Sequence, residues 1–160
     1  MASRESAPPA AAPFTTNAED LREAERLQAR LRQRQEQPRS STQPQQRLAS
    51  VHIAEGAHKY VLISAETPDG EPQWFVTSRT GAPYHRNVAE PMIAQLEHAC
   101  YTNICVTGGG RIHLQTNAKE MAIFGFSYGF GLADHAQSRR TVLEDPRYQD
   151  FAVSISDEGY

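Results

Sequence analysis

The sequence predicts a single α+β domain, in which a mixed sheet of about six strands is flanked by two helices. Its 160 residues fit one domain. Nearly all the aromatic residues follow position 47, so the predicted folding unit is residues 48–160, enough chain for one hydrophobic core. The strand patterns are not regularly separated by helical patterns, which argues against a doubly wound parallel sheet.

Several segments have the composition and alternation of strands. The clearest is Lys59–Glu66, which is rich in β-branched and apolar residues, and Pro68-Asp69-Gly70 predicts a turn into a returning strand at Gln73–Ser78. Further strands are predicted at 50–55, 102–107, 120–127 and 151–155, with a short extended stretch at 111–115. Together they are enough for one sheet.

Two segments of the folding unit have helical patterns. Residues 87–101 carry apolar side chains spaced by four, four and three positions: Val88, Met92, Leu96 and Ala99. Residues 132–143 predict a second helix, which Pro146 ends. Between them, Gly108-Gly109-Gly110 predicts a tight loop.

Residues 1–47 predict a mostly disordered extension that contains one helix. Ala- and Pro-rich residues 1–16 and Gln-, Ser- and Pro-rich residues 35–47 have too little apolar surface to fold. Residues 18–37 are helix formers, with Asn17 as a cap and Asp20 as the capping-box acid. The apolar stripe is Leu21, Ala24, Leu27 and Leu31.

That stripe is narrow, so we expect a solvated helix. One alternative is a docking or weak coiled-coil segment for an unknown partner. A mitochondrial transit peptide is a further alternative, which the acidic residues disfavour.

Charge and composition exclude several classes. Residues 1–47 carry a net charge of +2 and the remainder −5, which argues against nucleic acid as the main ligand. The sequence contains no long apolar run and no secretory signal, so we expect neither a membrane span nor export. Cys100 and Cys105 are too few for a disulfide framework or a zinc site, which favours a cytoplasmic protein. His113 and His135 lack partners at metal spacing, so no metal is expected.

His85 is the first candidate for chemistry. It stands in Tyr84-His85-Arg86, just before a predicted helix. The positive end of a helix favours the neutral imidazole that a base or nucleophile needs, and the same amides can bind phosphate. The alternative is a histidine that is satisfied structurally or lies in solvent.

Two glycine-rich segments are the other candidates. Gly108-Gly109-Gly110 could form an anion nest beside Arg111, or else a plain hairpin turn with a solvated arginine. The pattern matches neither a P-loop nor a dinucleotide fingerprint. In the second segment the Ser127 hydroxyl and the Gly129 amide could contact an anion, but there is no nucleophile elbow of a hydrolase.

Five sequence blocks, taken in order, resemble the small phosphohistidine phosphatases of the Janus/ocnus family. The blocks are Lys59–Ile63, Tyr84–His85, Gly108–Ile112, Phe124–His135 and Asp157–Tyr160. Each is weak alone, but their order and spacing are specific. The resemblance covers about residues 50–160, which is essentially the whole predicted folding unit.

The resemblance implies a monomeric enzyme that removes phosphate from phosphohistidine in proteins or peptides, and also from phospholysine, without metal or cofactor. His85 would be its catalytic base or nucleophile. A second histidine near the site would be His135. The phosphate would be surrounded by Lys59, Arg111, the amides of His85 and Arg86, Ser127 and the Gly129 amide.

The chain departs from the family pattern at two positions. Thr77 stands where the family has an arginine eight residues before the catalytic histidine, and Arg79 is the nearest substitute. Gly129 replaces a small alanine. Tyr84 is a further candidate at the edge of the site. The departures keep an alternative open, in which the pocket binds phosphoprotein as an interaction module without turnover.

Overall fold

Six strands form one mixed sheet in the computed structural model, which describes residues 17–35 and 47–156. Their order across the sheet is β1-β3-β2-β4-β5-β6, with parallel pairing in β1–β3 and β5–β6 and antiparallel pairing elsewhere. The strands are β1 Val51–His52, β2 Gly56–Glu66, β3 Pro72–Ser78, β4 Thr102–Gln115, β5 Glu120–Phe124 and β6 Ala152–Ile155. The predicted mixed sheet is confirmed.

Strand β2 is central and is buried on both faces. Val61 and Ile63 contribute to one hydrophobic cluster, whereas Tyr60 and Leu62 contribute to a second cluster on the opposite face. Successive strand residues point to opposite faces, so a strand covered on both sides must be apolar at nearly every position. This explains why Lys59–Glu66 carries the clearest strand pattern. The predicted turn after it is confirmed, with the Gly70 amide donating to the Thr67 carbonyl at 2.8 Å.

Three helices of the described residues cover the sheet: the two predicted in the folding unit and the one predicted in the N-terminal extension. They are α1 Asn17–Gln35, α2 His85–His98 and α3 His135–Leu143. Helices α1 and α2 share the cluster that contains Val61, while α3 packs on the cluster that contains Tyr60. The sheet therefore has a two-helix face and an α3 face.

Helix α1 was predicted as a solvated segment, and that prediction is wrong. Leu27 and Leu31 lie in the core cluster beneath α2, while Leu21, assigned to the stripe, is 45% exposed. Asp20, expected to be a capping residue, is only 2% exposed. The stripe is too short to stabilise an isolated helix, but packing against the core of the folding unit stabilises α1. The division of the chain at residue 47 stays a prediction, although α1 shares the core of the folding unit.

The triple glycine is not the predicted tight loop. Gly108, Gly109 and Gly110 run through the middle of β4, which is a single 14-residue strand. A Cβ at Gly108 would come within 2.6 Å of the Ala133 Cα, and one at Gly109 within 3.0 Å of the His85 ring. Glycine is needed here because backbone and rings approach the strand closely, not because the chain turns. Both alternatives given for these residues, an anion nest and a hairpin turn, are therefore wrong.

Other expectations fall outside the described residues. These are the predictions for residues 1–16 and 36–46, and the last sequence block at 157–160. Among the helices that the structure describes, none combines the length and the apolar character needed to cross a bilayer.

Candidate active site

His85 is the first residue of α2, two positions earlier than the predicted helix start. Tyr84 precedes it in extended conformation and caps the helix. The Asn87 amide donates to the Tyr84 carbonyl at 3.0 Å, and the Tyr84 amide donates to Asn87 Oδ1 at 3.2 Å. These reciprocal bonds set the helix start and place His85 in the first turn, where the amides have no intrahelical acceptor.

The His85 ring has a defined orientation. The side chain is 0% exposed, and its Nε2 lies 3.0 Å from the Gly110 carbonyl oxygen. A carbonyl only accepts, so Nε2 carries a proton and donates it. In the neutral ring Nδ1 then holds the lone pair. A base or nucleophile at this histidine would act through Nδ1.

Three backbone and hydroxyl donors converge in front of Nδ1. The loop after β5 is folded back by the Gly131 carbonyl, which accepts from the amides of Gly109 at 3.0 Å and Ser127 at 3.1 Å. This fold presents the Ser127 hydroxyl and the Gly129 amide beside the His85 amide at the start of α2. We call these three groups the donor cradle. Converging donors at a helix N-terminus form a site for an anion.

The carboxylate of Asp20, from α1, lies in the donor cradle. Its Oδ2 accepts from the Gly129 amide at 2.9 Å and from the Ser127 hydroxyl at 3.5 Å, and it is 3.8 Å from His85 Nδ1. Burial alone raises the pKa of Asp20, but the His85 ring in its protonated form and the hydrogen bonds from the Gly129 and His85 amides outweigh burial and leave that pKa below its ordinary value. The site stabilises a negative charge.

Two basic residues stand beside the cradle. Lys59 and Arg111 are directly opposite each other on β2 and β4, and their side chains share a face of the sheet. Lys59 is only 8% exposed. Burial lowers the pKa of Lys59 and the nearby Arg111 lowers it further, while Asp20 acts in the opposite direction. Two cations side by side attract an anion to this part of the sheet.

The remaining candidates lie at the edge of the site. The Arg86 side chain is held away from the cradle by ion pairs with Glu23 of α1 and with Glu90 at 2.7 Å. Arg79 is exposed and lies one residue beyond the end of β3, where the strand register places it next to Lys59. Thr77 is buried on the same face as Arg79. Tyr84 is half-buried and acts as the helix cap.

His135 is not brought into the pocket. It starts α3 on the other face of the sheet, where its Nδ1 lies 2.7 Å from the Tyr60 hydroxyl and its Nε2 lies 2.8 Å from the Gly125 carbonyl. Gly110 separates the two histidines, since its carbonyl accepts from His85 and a Cβ on it would meet the His135 ring at 3.0 Å. His135, the expected second histidine, is therefore separated from the site by the backbone of β4.

Asp20 is the site residue that sequence reasoning missed. A signal was present, because Asp20 shares its helix face with Ala24, Leu27 and Leu31. A carboxylate on a buried stripe must meet a donor or a cation. Reading it as a capping residue hid that requirement.

Comparisons with known proteins identify the family of the chain. A family model described as Janus/Ocnus family (Ocnus) matches residues 45–152. A 14 kDa phosphohistidine phosphatase from Sus scrofa is 32% identical over 113 residues, which cover 67% of this chain and 87% of that protein. The sex-regulated protein janus-A from Drosophila simulans is 33% identical over 111 residues, covering 69% and 80%. The janus-A protein from Drosophila pseudoobscura pseudoobscura is 35% identical over 111 residues, covering 66% and 72%.

Proposed function

Because the chain belongs to the Janus/Ocnus family, we propose that it is a protein phosphohistidine phosphatase that hydrolyses the P–N bond. The observation that carries the proposal is the direction of His85 Nδ1, which faces the donor cradle while Nε2 is held by the Gly110 carbonyl. The basic pair of Lys59 and Arg111 supports it, and so does the name of the Sus scrofa relative.

The proposed reaction breaks one P–N bond and forms one P–O bond. By the base route, Nδ1 of His85 takes a proton from water, the resulting oxygen attacks phosphorus as the P–N bond breaks, and the departing imidazole nitrogen of the substrate takes up a proton from solvent. By the nucleophile route, Nδ1 bonds to phosphorus as the P–N bond of the substrate breaks and its imidazole leaves with a proton from solvent, and water later cleaves the new bond to Nδ1 and releases phosphate. A general base is typically worth about 10²–10⁴-fold in rate.

The surrounding groups would stabilise the charge on the phosphoryl oxygens. In this proposal the amides of His85 and Gly129 and the Ser127 hydroxyl bind those oxygens, and Lys59 with Arg111 neutralises them. Because the P–N bond is labile once its leaving imidazole is protonated, positioning and charge stabilisation are enough. We therefore propose a reaction without metal or cofactor. The substrates would be phosphohistidine in proteins or peptides, and also phospholysine, and the enzyme a cytoplasmic monomer that does not bind nucleic acid.

A second candidate function is a phosphoprotein-binding module without turnover. The specific observation in its favour is Thr77, which stands where the family pattern has an arginine eight residues before the catalytic histidine. Such a module would bind phosphate without breaking a bond.

The test is phosphate release from a phosphohistidine peptide in the presence of EDTA. We expect wild type to release phosphate and His85→Ala to lose at least about 10²-fold of that rate, because the base or nucleophile is gone. His98→Ala is the matched control, since His98 is an exposed histidine on the same helix. Circular dichroism checks that each variant folds.

Two results would count against the proposal. Equal release by wild type and His85→Ala would remove His85 from the chemistry. If both wild type and Asp20→Ala, which lacks the carboxylate in the cradle, bind phosphate but do not release it from the peptide, the binding module is favoured.

A further inference from the structure

The pocket is closed by the chain itself. The catalytic candidate His85 is 0% exposed and Asp20 is 2% exposed, so neither solvent nor a protein substrate reaches Nδ1 while α1 is in place. A phosphatase acting on protein side chains needs an open pocket. The described conformation is therefore one in which the proposed reaction cannot start.

Asp20 takes the position that a substrate oxygen needs. A carboxylate and a phosphoryl group are both anions with oxygens that accept from converging donors. Oδ2 of Asp20 uses the Gly129 amide at 2.9 Å and the Ser127 hydroxyl at 3.5 Å, and it lies 3.8 Å from His85 Nδ1. Those are the groups to which we assign the substrate phosphate. Binding of the two anions is mutually exclusive.

The rest of α1 is built to hold Asp20 there. Leu27 and Leu31 are buried in the cluster beneath α2. Glu23 pairs with Arg86 at the start of α2, and Gln28 donates to the Val106 carbonyl at 3.3 Å. Apolar anchors and peripheral polar contacts of this kind fix the register of a helix in a groove.

Gly129 allows α1 to approach the loop. A Cβ at this position would come within 2.6 Å of the Asp20 carbonyl oxygen and 2.7 Å of the Ala24 Cβ. Any larger residue would push the helix away while keeping the backbone amide. Helix α1 also lies before residues 45–152, where the family model matches. Helix α1, which places Asp20 in the cradle as a plug, thus lies outside the matched residues, whereas Gly129, which admits it, lies within them.

We propose that α1 is an autoinhibitory segment whose Asp20 carboxylate competes with the substrate phosphate for the donor cradle. The proposal rests on the proposed function for its biological meaning, and it names the regulation of that site. Docked and undocked α1 are in equilibrium, and only the undocked protein turns over substrate. Removal of the Asp20 carboxylate therefore raises the rate by a factor close to the ratio of docked to undocked protein in wild type.

The test uses full-length Asp20→Ala and Gly129→Ala, which attack docking from the two sides of the contact. Glu25→Ala is the matched control, since Glu25 is an exposed acid on the same helix. We expect both test variants to raise kcat/KM for a phosphohistidine peptide at least about tenfold and the control to equal wild type. If wild type turns over the peptide and Asp20→Ala lowers kcat/KM or leaves it unchanged, the proposal is overturned, and a decrease would make Asp20 a working partner of His85.

A second readout does not depend on catalysis. Inorganic phosphate is titrated into wild type and Asp20→Ala, and its binding is followed by the ³¹P NMR line width. We expect at least about tenfold tighter binding by Asp20→Ala, because the competing carboxylate is gone. Equal affinities would overturn the autoinhibition. Tighter binding by an Asp20→Ala protein that never releases phosphate from the peptide would support autoinhibition and refute the phosphatase.

Discussion

The two faces of the sheet each bury a histidine against the same glycine-containing strand, and they use it differently. On the two-helix face, His85 donates from Nε2 to the Gly110 carbonyl and turns Nδ1 to the donor cradle. On the α3 face, His135 has Nε2 at the Gly125 carbonyl and Nδ1 at the Tyr60 hydroxyl. Both rings have one nitrogen at a backbone carbonyl. The groups that face the other nitrogen decide what each histidine can do.

The network around His135 is closed. The Tyr60 hydroxyl also lies 2.9 Å from the Ser138 hydroxyl, and burial raises the pKa of Tyr60, so the phenol keeps its proton and donates it to Nδ1. A buried network with every member satisfied rigidifies a core. The two-helix face instead directs Nδ1 to an anion site beside two cations. The comparison teaches that burial alone does not identify a catalytic histidine, whereas the partner of its second nitrogen does.

The largest expected effect comes from adding a side chain at Gly110, the residue of β4 that separates the two histidines. In Gly110→Ala, the new Cβ would lie 3.0 Å from the His135 ring and 3.1 Å from the Gly125 carbonyl, and it would also meet the carbonyl of Phe124. Backbone atoms cannot move aside, so we expect a loss of about 3 kcal/mol in the free energy of unfolding. Urea denaturation measures it. Cys105→Ala, at an exposed position of the same strand, should change stability by less than about 0.5 kcal/mol.

A Gly110→Ala protein as stable as Cys105→Ala would contradict the packing role of the triple glycine. It would favour the alternative in which glycine is needed here for backbone conformation and not for close packing.

The sheet could be predicted from the sequence because its strands carry local signals. Strand β2 is apolar at nearly every position, and Pro68-Asp69-Gly70 sets the turn that follows it. The triple glycine could not be assigned in the same way. Glycine at a turn and glycine under a packed ring look alike in one sequence, and only the tertiary neighbours of Gly109 and Gly110 distinguish them.

Family motifs point to some of the candidate residues and not to others. His85, Ser127 and Gly129 contact the Asp20 carboxylate, and Lys59 pairs with Arg111 across neighbouring strands, while their role in binding phosphate stays a prediction. The resemblance could not give Asp20, which lies outside the motifs. Nor could helix propensity give it, because the docking of α1 depends on contacts between residues far apart in sequence.

A medium effect is expected from exchanging each histidine in turn. His135→Asn loses hydrogen bonds of the closed network, so we expect about 2 kcal/mol less stability but phosphate release within about threefold of wild type. His85→Asn should lose at least about 10²-fold of that release. Parallel urea denaturation and turnover assays separate the two outcomes. Loss of turnover in a folded His135→Asn would place the second histidine in the mechanism, against its position on the α3 face.

The smallest expected effects come from neighbouring residues of β2 that point to opposite faces. Lys59 stands on the two-helix face opposite Arg111, and Tyr60 stands on the α3 face opposite Gly110. The measurements use the Asp20→Ala background, so that the plug does not mask substrate binding. There, Lys59→Met should raise KM about tenfold, equivalent to about 1.4 kcal/mol, because a buried cation no longer meets the phosphate. Tyr60→Phe should leave KM unchanged and lower the free energy of unfolding by about 1 kcal/mol, because the His135 and Ser138 contacts lose their hydroxyl.

A shift of KM in Tyr60→Phe that equals the shift in Lys59→Met would show that the two faces act as one site. An unchanged KM in Lys59→Met would leave the cradle donors as the binding groups and remove the cation from the pocket.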